Sequence, residues 1–348
     1  MTMRAQEIKR QIFIGGCGRS GTTLLGSMLG SHSQCLCPPE SHFKTTPFRM
    51  GLRQEGQIDP QAALDLIQRH WRFKIWQLEI DPADAPKSSY VDLLHWLVRS
   101  YAAAHDLTGS VWVDHTPENI NYAPTLLKAF PNTQMVHIIR DGRAVANSIM
   151  PLDWGPNTII RAATWWKGIV RQGVAVEEAH PSARIVRVRY EDLVFEPEVT
   201  VAQLCDQLDL VYEAGMLTAS GFRAPGYTTN QHAMIGKRPD PSRATRWKET
   251  LTPRQIEIFE SLAGDLLHEL GYDLQYGGDA RPPTSLERIQ ARVKERWRGM
   301  IWNRCRWLVR SYPVWLSLDF LRMFPDSIRA AKKAELPGLE PEASEEST

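Results

Sequence analysis

The sequence predicts an α/β protein in three layers, a central parallel sheet with helices on both faces, and three observations predict it. Short β-rich runs recur along the chain and are separated by stretches whose apolar residues repeat at helical spacing. Strands joined through helices must run parallel, because each connection crosses over the sheet. The first β-rich run leads directly into a glycine-rich turn and then a helix. Finally, 348 residues at 43% hydrophobic and 23% charged make a globular chain long enough to cover both faces of a sheet.

From Gln11 the chain reads QIFIGGCGRSGTTLLGSMLGSH. Ile12 to Ile14 is the first strand, the glycines turn the chain, and Leu24, Leu25, Met28 and Leu29 fall on one helical face. Residues 43–108 are helical in character, with DLIQRHWRFKIWQL and YVDLLHWLVRSYAAA carrying apolar residues three and four apart. Ser110 to Asp114 (SVWVD) is the second strand, ended by Pro117. Met135 to Ile139 (MVHII) is the third, between a turn at Pro131-Asn132 and a helix from Gly142. Arg184 to Arg189 (RIVRVR) alternates and is the fourth. A helix over 253–270 closes the main domain, and Gly277-Gly278 followed by Pro282-Pro283 marks a boundary. The expected organisation is a domain over residues 1–276, a basic Trp/Arg-rich helical extension over 277–330, and a disordered acidic tail over 331–348.

A net charge of +1 neither favours nor excludes nucleic acid. Five cysteines make no disulfide framework, and Cys35 and Cys37 are too close for a Cys-x-x-Cys pair, so buried reduced thiols are expected. The ten histidines and the acidic residues have no metal-ligand spacing such as H-E-x-x-H, so no metal is expected. No apolar run approaches the roughly 18–20 residues that span a bilayer, and no secretory leader is evident, so a cytoplasmic protein is expected.

Gly16 to Thr23 (GCGRSGTT) has the spacing of the phosphate-binding loop G-x-x-x-x-G-K-[ST], with Thr22 in the lysine position. The fold expectation is therefore a P-loop-type one. Backbone N–H groups at a helix N-terminus make an anion site, and Gly18, Arg19, Ser20, Gly21, Thr22 and Thr23 are its candidate residues. Without the lysine, ATP or GTP hydrolysis is disfavoured; a turn that binds nothing is the alternative. A second anchor is VHIIRDGRAVANS, with Arg140 where the strand ends and Ser148 two turns into the next helix. Together they suit a second, separate phosphate. Taken alone, an arginine at a strand end is more often half of a surface ion pair than a ligand.

In combination, the two segments resemble the nucleotide-binding segments of the sulfotransferase superfamily, in the branch that includes protein-tyrosine sulfotransferases. The resemblance spans residues 11–276, weakly over 43–108. It implies 3′-phosphoadenosine 5′-phosphosulfate as donor, without a metal, and a hydroxyl acceptor: a protein tyrosine, carbohydrate, lipid or small alcohol. It places the 5′-phosphosulfate on the loop and the 3′-phosphate on Arg140 and Ser148. It implies that Glu40 deprotonates the acceptor, that His115 stands where many relatives have a lysine assisting the leaving phosphate, and that Tyr190 in RYEDL belongs to the donor site. It further implies that Lys237, in a segment with Trp247, folds over the donor. A glutamate serves better as a base if partial burial raises its pKa toward neutrality, and His42 is the reserve base. Two other functions compete: a P-loop kinase or hydrolase, which should keep lysine at 22 and need Mg²⁺, and a non-catalytic nucleotide-binding relative. Trp71, Trp76 and Trp96 offer rings for an acceptor, although core packing is the more frequent use of such residues.

Residues 281–312 carry nine Arg or Lys against Glu287 and Glu295, interleaved with Trp297, Trp302 and Trp307. A peripheral membrane contact through 284–324 is one expectation, and a helix packed on the main domain is the other. Nucleic acid is not expected, since no recognised binding module accompanies the patch.

Overall fold

A computed structural model of the protein describes residues 7–51, 53–54, 57–180, 184–222 and 236–306. The expected acidic tail and the stretch 307–330 lie outside these. One sheet of five strands organises the chain: β1 (Arg10–Gly16), β2 (Cys35–Leu36), β3 (Val111–Asp114), β4 (Thr133–Ile139) and β5 (Ile185–Arg189). They run parallel in the order β2-β3-β1-β4-β5. All four predicted strands are present, and the fold is α/β. The edge strand β2 was not foreseen: two residues are too few to display alternation.

The principal helices are α1 (Thr22–Gly30), α2 (Pro60–Arg69), α3 (Tyr90–Ala104), α4 (Gly142–Ile149), α5 (Ile159–Ala179), α6 (Tyr190–Phe195), α7 (Pro197–Gln207), α8 (Pro253–Glu269) and α9 (Ser285–Trp297). Most begin where local chemistry says they should. The Asp59, Ser89, Asp141 and Thr158 side chains cap α2, α3, α4 and α5, while Thr252 and Thr284 form capping boxes with Gln255 and Glu287.

Alternation along the strands sorts the core into layers. Ile12 and Ile14 point to one face with Val111, Val113, Val136 and Ile138, where Leu25, Met28 and Leu29 of α1 and Leu204 of α7 cover them. Phe13, Trp112 and Met135 point to the other, packed on Leu93 and Leu97 of α3. There Phe13 meets Trp112 and Phe130 edge-on, at 5.4 and 5.2 Å between centroids. A third cluster joins Val145 of α4, Trp166 of α5 and Phe259 of α8. Each such side chain, fully buried, stabilises the fold by about 1.5–3 kcal/mol.

The strand order reverses around β1, so a crevice opens at the carboxyl ends of β1, β3 and β4. Asn119 stitches two of those ends together: its Nδ2 donates to the Ile14 carbonyl (2.9 Å) and to Asp114 Oδ1 (2.8 Å).

After α8 the chain stays against the same body. Glu257 accepts from Arg281 at 2.6 Å, and Glu287 pairs with Arg254 at 2.8 Å. Glu295 of α9 accepts from the Asn157 amide (2.7 Å) and the Thr158 hydroxyl (2.8 Å), gripping the loop 150–158 between α4 and α5. Beyond α9 a π-helical turn, Arg298–Trp302, leads to Asn303, which donates to Asn157 Oδ1 at 2.7 Å. Among the described residues, no helix is long and apolar enough to cross a membrane.

Candidate active site

The loop between β1 and α1 is shaped by two left-handed residues, Arg19 at φ 71° and Gly21 at φ 104°. At Gly21 nothing larger than hydrogen fits: a Cβ would stand 2.5 Å from Cδ2 of Tyr190. The first turn of α1 has neither a side-chain cap nor an acidic residue, so its N–H groups face the crevice without an internal acceptor. Ser20 is fully buried, and its hydroxyl has no partner among the described residues.

Three guanidinium groups gather on this loop. Arg19 Nε donates to Ser148 Oγ at 3.2 Å, so the loop and the first turns after β4 meet directly. Arg140, leaving β4, donates to the Arg19 carbonyl at 2.9 Å and to the Arg243 carbonyl at 2.5 Å. It lies 4.2 Å from the centre of the Tyr190 ring, which serves as its shelf. Arg140 Nε is buried without a partner among the described residues. Burial, reinforced by the charges of Arg140 and Arg243, pushes the Arg19 pKa down to about 10. A cluster of like charges that weakens its own members is an anion site in the making.

Not every basic residue of RDGR joins it. Arg143 turns inward to Asp141 (2.8 Å) and Glu260 (2.6 Å), with its guanidinium 4.1 Å from the Trp247 ring. Trp247 itself is buried at 2% exposure.

Glu40 follows β2. Its Oε2 accepts from Arg72 Nη1 and His42 Nε2, both at 2.9 Å, and its Oε1 lies 4.0 Å from His115 Nδ1. The condition that would make Glu40 a stronger base is not met. Burial alone would raise the Glu40 pKa, but the hydrogen bond from His42 and the charges of His42 and Arg72 outweigh it and hold the carboxyl well below the usual range. His42 bridges to Glu118 Oε2 at 3.3 Å. Burial opposes its charge, yet hydrogen bonds to Glu118 and Glu40 raise its pKa overall. Two carboxylates thus favour the charged imidazole, and in that form it has no lone pair to offer as a base.

His115 follows β3 and is 1% exposed, with its ring against Phe222 at 4.6 Å. Neither ring nitrogen is hydrogen-bonded among the described residues. Burial lowers its pKa despite the nearby Glu40 and Asp114, so it is a neutral imidazole at pH 7. Beneath it runs a buried ion pair, Lys44 Nζ to Asp114 Oδ1 at 3.0 Å, each side chain at 1% exposure or less. Asp114 also accepts from the Thr116 amide (3.0 Å) and from Ser41 Oγ. Lys237 is exposed, and no described residue pairs with it.

Three residues escaped sequence reasoning. Arg243 lies in GKRPDPSRATRWK, where five basic residues compete and only the fold selects the one whose carbonyl meets Arg140 and whose charge bears on Arg19. Arg72 sits in a helical stretch with no motif, and reaches Glu40 only because the β2–β3 connection folds back. Trp154 borders the loop between β1 and α1: a Cβ on Gly18 would meet Trp165 at 3.3 Å and Trp154 at 3.5 Å. Of the three tryptophans weighed between core and acceptor, Trp76 is core, bonded to the Pro39 carbonyl, and Trp96 is partly buried against the same cluster, as core packing requires. Trp71 is 36% exposed, with the Arg72 guanidinium 4.6 Å from its ring.

Comparison with known proteins bears on the family and the fold. The profile described as "Sulfotransferase family" matches residues 11–214. Protein-tyrosine sulfotransferase A of Caenorhabditis elegans is 23% identical over 282 residues, covering 78% of this chain and 69% of that protein. Nodulation protein NoeE of Sinorhizobium fredii is 26% identical, over 77% of this chain and 68% of its own. Among solved structures, the sulfotransferase domain of the Synechococcus PCC 7002 olefin synthase superposes with a TM-score of 0.56 at 21% identity, covering 79% of this chain and 98% of that one. A sulfotransferase domain from the curacin biosynthetic pathway gives 0.52 at 22% identity, over 78% of this chain and all of its own. These two likenesses establish the fold.

Proposed function

The chain belongs to the sulfotransferase family, and we propose that it moves a sulfuryl group from 3′-phosphoadenosine 5′-phosphosulfate onto an acceptor hydroxyl. The observation that carries this reading is the convergence of Arg19, Arg140 and Arg243 with Ser148 on the uncapped start of α1. One nucleotide with phosphate at both its 5′ and 3′ positions would satisfy that much cationic surface. Thr22 in the lysine position argues against a triphosphate.

In the reaction the acceptor oxygen forms a bond to sulfur as the bond between sulfur and the bridging phosphate oxygen breaks. The acceptor loses its proton, and the negative charge leaves on the bisphosphate. By analogy with phosphoryl transfer, most of the work is positioning and electrostatics. Loop amides 18–23 and Arg19 hold the phosphosulfate end, and Arg140 and Ser148 hold the 3′-phosphate, with Tyr190 fixing Arg140. Glu40 takes the acceptor proton. It is ionised at neutral pH, the state a base requires, and Arg72 and His42 fix its direction. Lys237 supplies mobile charge to the leaving oxygen, and His115 stands behind Glu40 as a neutral support. Trp71 and Arg72 face the acceptor side, whose class — protein tyrosine, carbohydrate, lipid or small alcohol — an activity screen must assign.

The first test is thermal stabilisation by 3′,5′-adenosine bisphosphate against ADP, ATP and GTP, with and without Mg²⁺. A ligand at a hundred times its dissociation constant adds about 2.7 kcal/mol. Selective, magnesium-independent stabilisation by the bisphosphate is expected; preference for Mg-ATP would replace this reading with a P-loop kinase. Glu40→Gln is expected to lower kcat by about a hundredfold to ten-thousandfold while leaving bisphosphate affinity unchanged. Near-normal turnover would remove Glu40 from the base role.

A further inference from the structure

Helix α9 inverts the usual arrangement of a surface helix, which turns its apolar stripe to the core and its polar face to water. Here the polar side is docked. Glu287 pairs with Arg254, Glu295 holds Asn157 and Thr158, and Asn303 holds Asn157 again. The apolar residues face outward instead: Leu286, Ile289, Val293, Trp297 and Met300, spaced three and four apart, are 53–63% exposed. Ile301 and Trp302 prolong the stripe, and Trp297 and Trp302 stack at 6.0 Å. The π-helical turn makes the reversal complete. It inserts one residue, so that position 303 rather than 302 continues the docked series 287, 291, 295, 298, and both Met300 and Ile301 stay outside.

The charges bordering the stripe have one sign. Arg292, Lys294, Arg296 and Arg304 are exposed, and none has an ion pair or hydrogen bond among the described residues. At about 100° per residue, Arg292 and Arg296 fall along one border of the stripe and Lys294 along the other. The two acids of this region, Glu287 and Glu295, are both turned toward the protein. The outward face is thus apolar in the middle, positive at its edges, and without negative charge.

We propose that this face of α9 and its π-turn docks on an anionic lipid surface. A bilayer offers both things the face lacks: an apolar layer for Val293, Trp297 and Trp302, and anionic headgroups for the bordering cations. A second copy of the chain would set those cations against their own kind. The following stretch of sequence, 307–324, brings Arg310 and Arg322 against Asp319 alone, and so adds positive charge instead of complementing it. An acidic protein would match the borders but not the breadth of the exposed indoles.

The test is flotation of the full-length chain with vesicles of phosphatidylcholine alone and of phosphatidylcholine with about a third phosphatidylglycerol. The chain is expected to float with the anionic vesicles only. Val293→Glu/Trp297→Glu and, separately, Arg292→Glu/Arg296→Glu should each cut the bound fraction's partition coefficient by about tenfold or more. Both pairs are exposed, so thermal unfolding and bisphosphate binding should match the unaltered chain, which separates loss of docking from loss of fold. Equal flotation of the variants would overturn the proposal. So would failure of the unaltered chain to float, or a dimer in solution that the Val293→Glu/Trp297→Glu variant dissociates.

Discussion

Much of what Glu40 does is decided by residues that touch it, not by its own burial. His42 and Arg72 hold its charge in place, and the resulting pH behaviour is specific. His42 has a raised pKa in the fold, so the stability it contributes is fully present below the ordinary histidine value of about 6.5 and is lost as pH rises through the folded value. The gap in urea midpoint between the unaltered chain and His42→Gln should therefore be wider at about pH 6 than at about pH 9. Glu40 works in the opposite sense: its depressed pKa contributes stability above the carboxylate range, lost as pH falls through the folded value. The Lys44–Asp114 pair lies deeper and is more brittle. Asp114→Asn leaves a buried ammonium uncompensated and should cost about 3–5 kcal/mol in urea unfolding. None of this was visible beforehand. A carboxylate's neighbours come from the fold, and neither Arg72 nor Lys44 stands in a motif.

Elements were far more legible than contacts. Strands β1, β3, β4 and β5 declare themselves through five or so β-rich residues ended by glycine, proline or a new helix, whereas β2 is too short to do so. The donor loop was legible because its geometry demands particular residues. Gly21 is left-handed and lies against Tyr190, so Gly21→Ala forces both an unfavourable φ and a collision. Calorimetry should find bisphosphate affinity lowered by about tenfold or more, since the variant displaces either the loop or the Arg140 shelf. The 150–158 loop and α9 were not legible as a unit. Their connection depends on Glu295 and Asn303 finding one short segment more than a hundred residues away, and no local pattern encodes that.

Seen across the whole molecule, the sheet delivers its chemistry in a regular way. The donor loop follows β1, Glu40 follows β2, His115 directly follows β3, Arg140 directly follows β4 and Tyr190 directly follows β5. That is why a few short segments of sequence sufficed to assemble the candidate site: a parallel sheet brings all its strand ends to one edge. What they could not supply was the acceptor side, which lies in connections and not at strand ends. The long crossover from β2 to β3 carries α2, α3, Trp71 and Arg72, while the proposed donor side is built from the loop after β1, the segment after β4, Tyr190 after β5 and the later segment with Arg243. On the proposed reading, donor and acceptor recognition would fall on separate stretches of chain, with Glu40 between them. Such a layout would let the crossover be rewritten for a new acceptor while the donor side keeps its form.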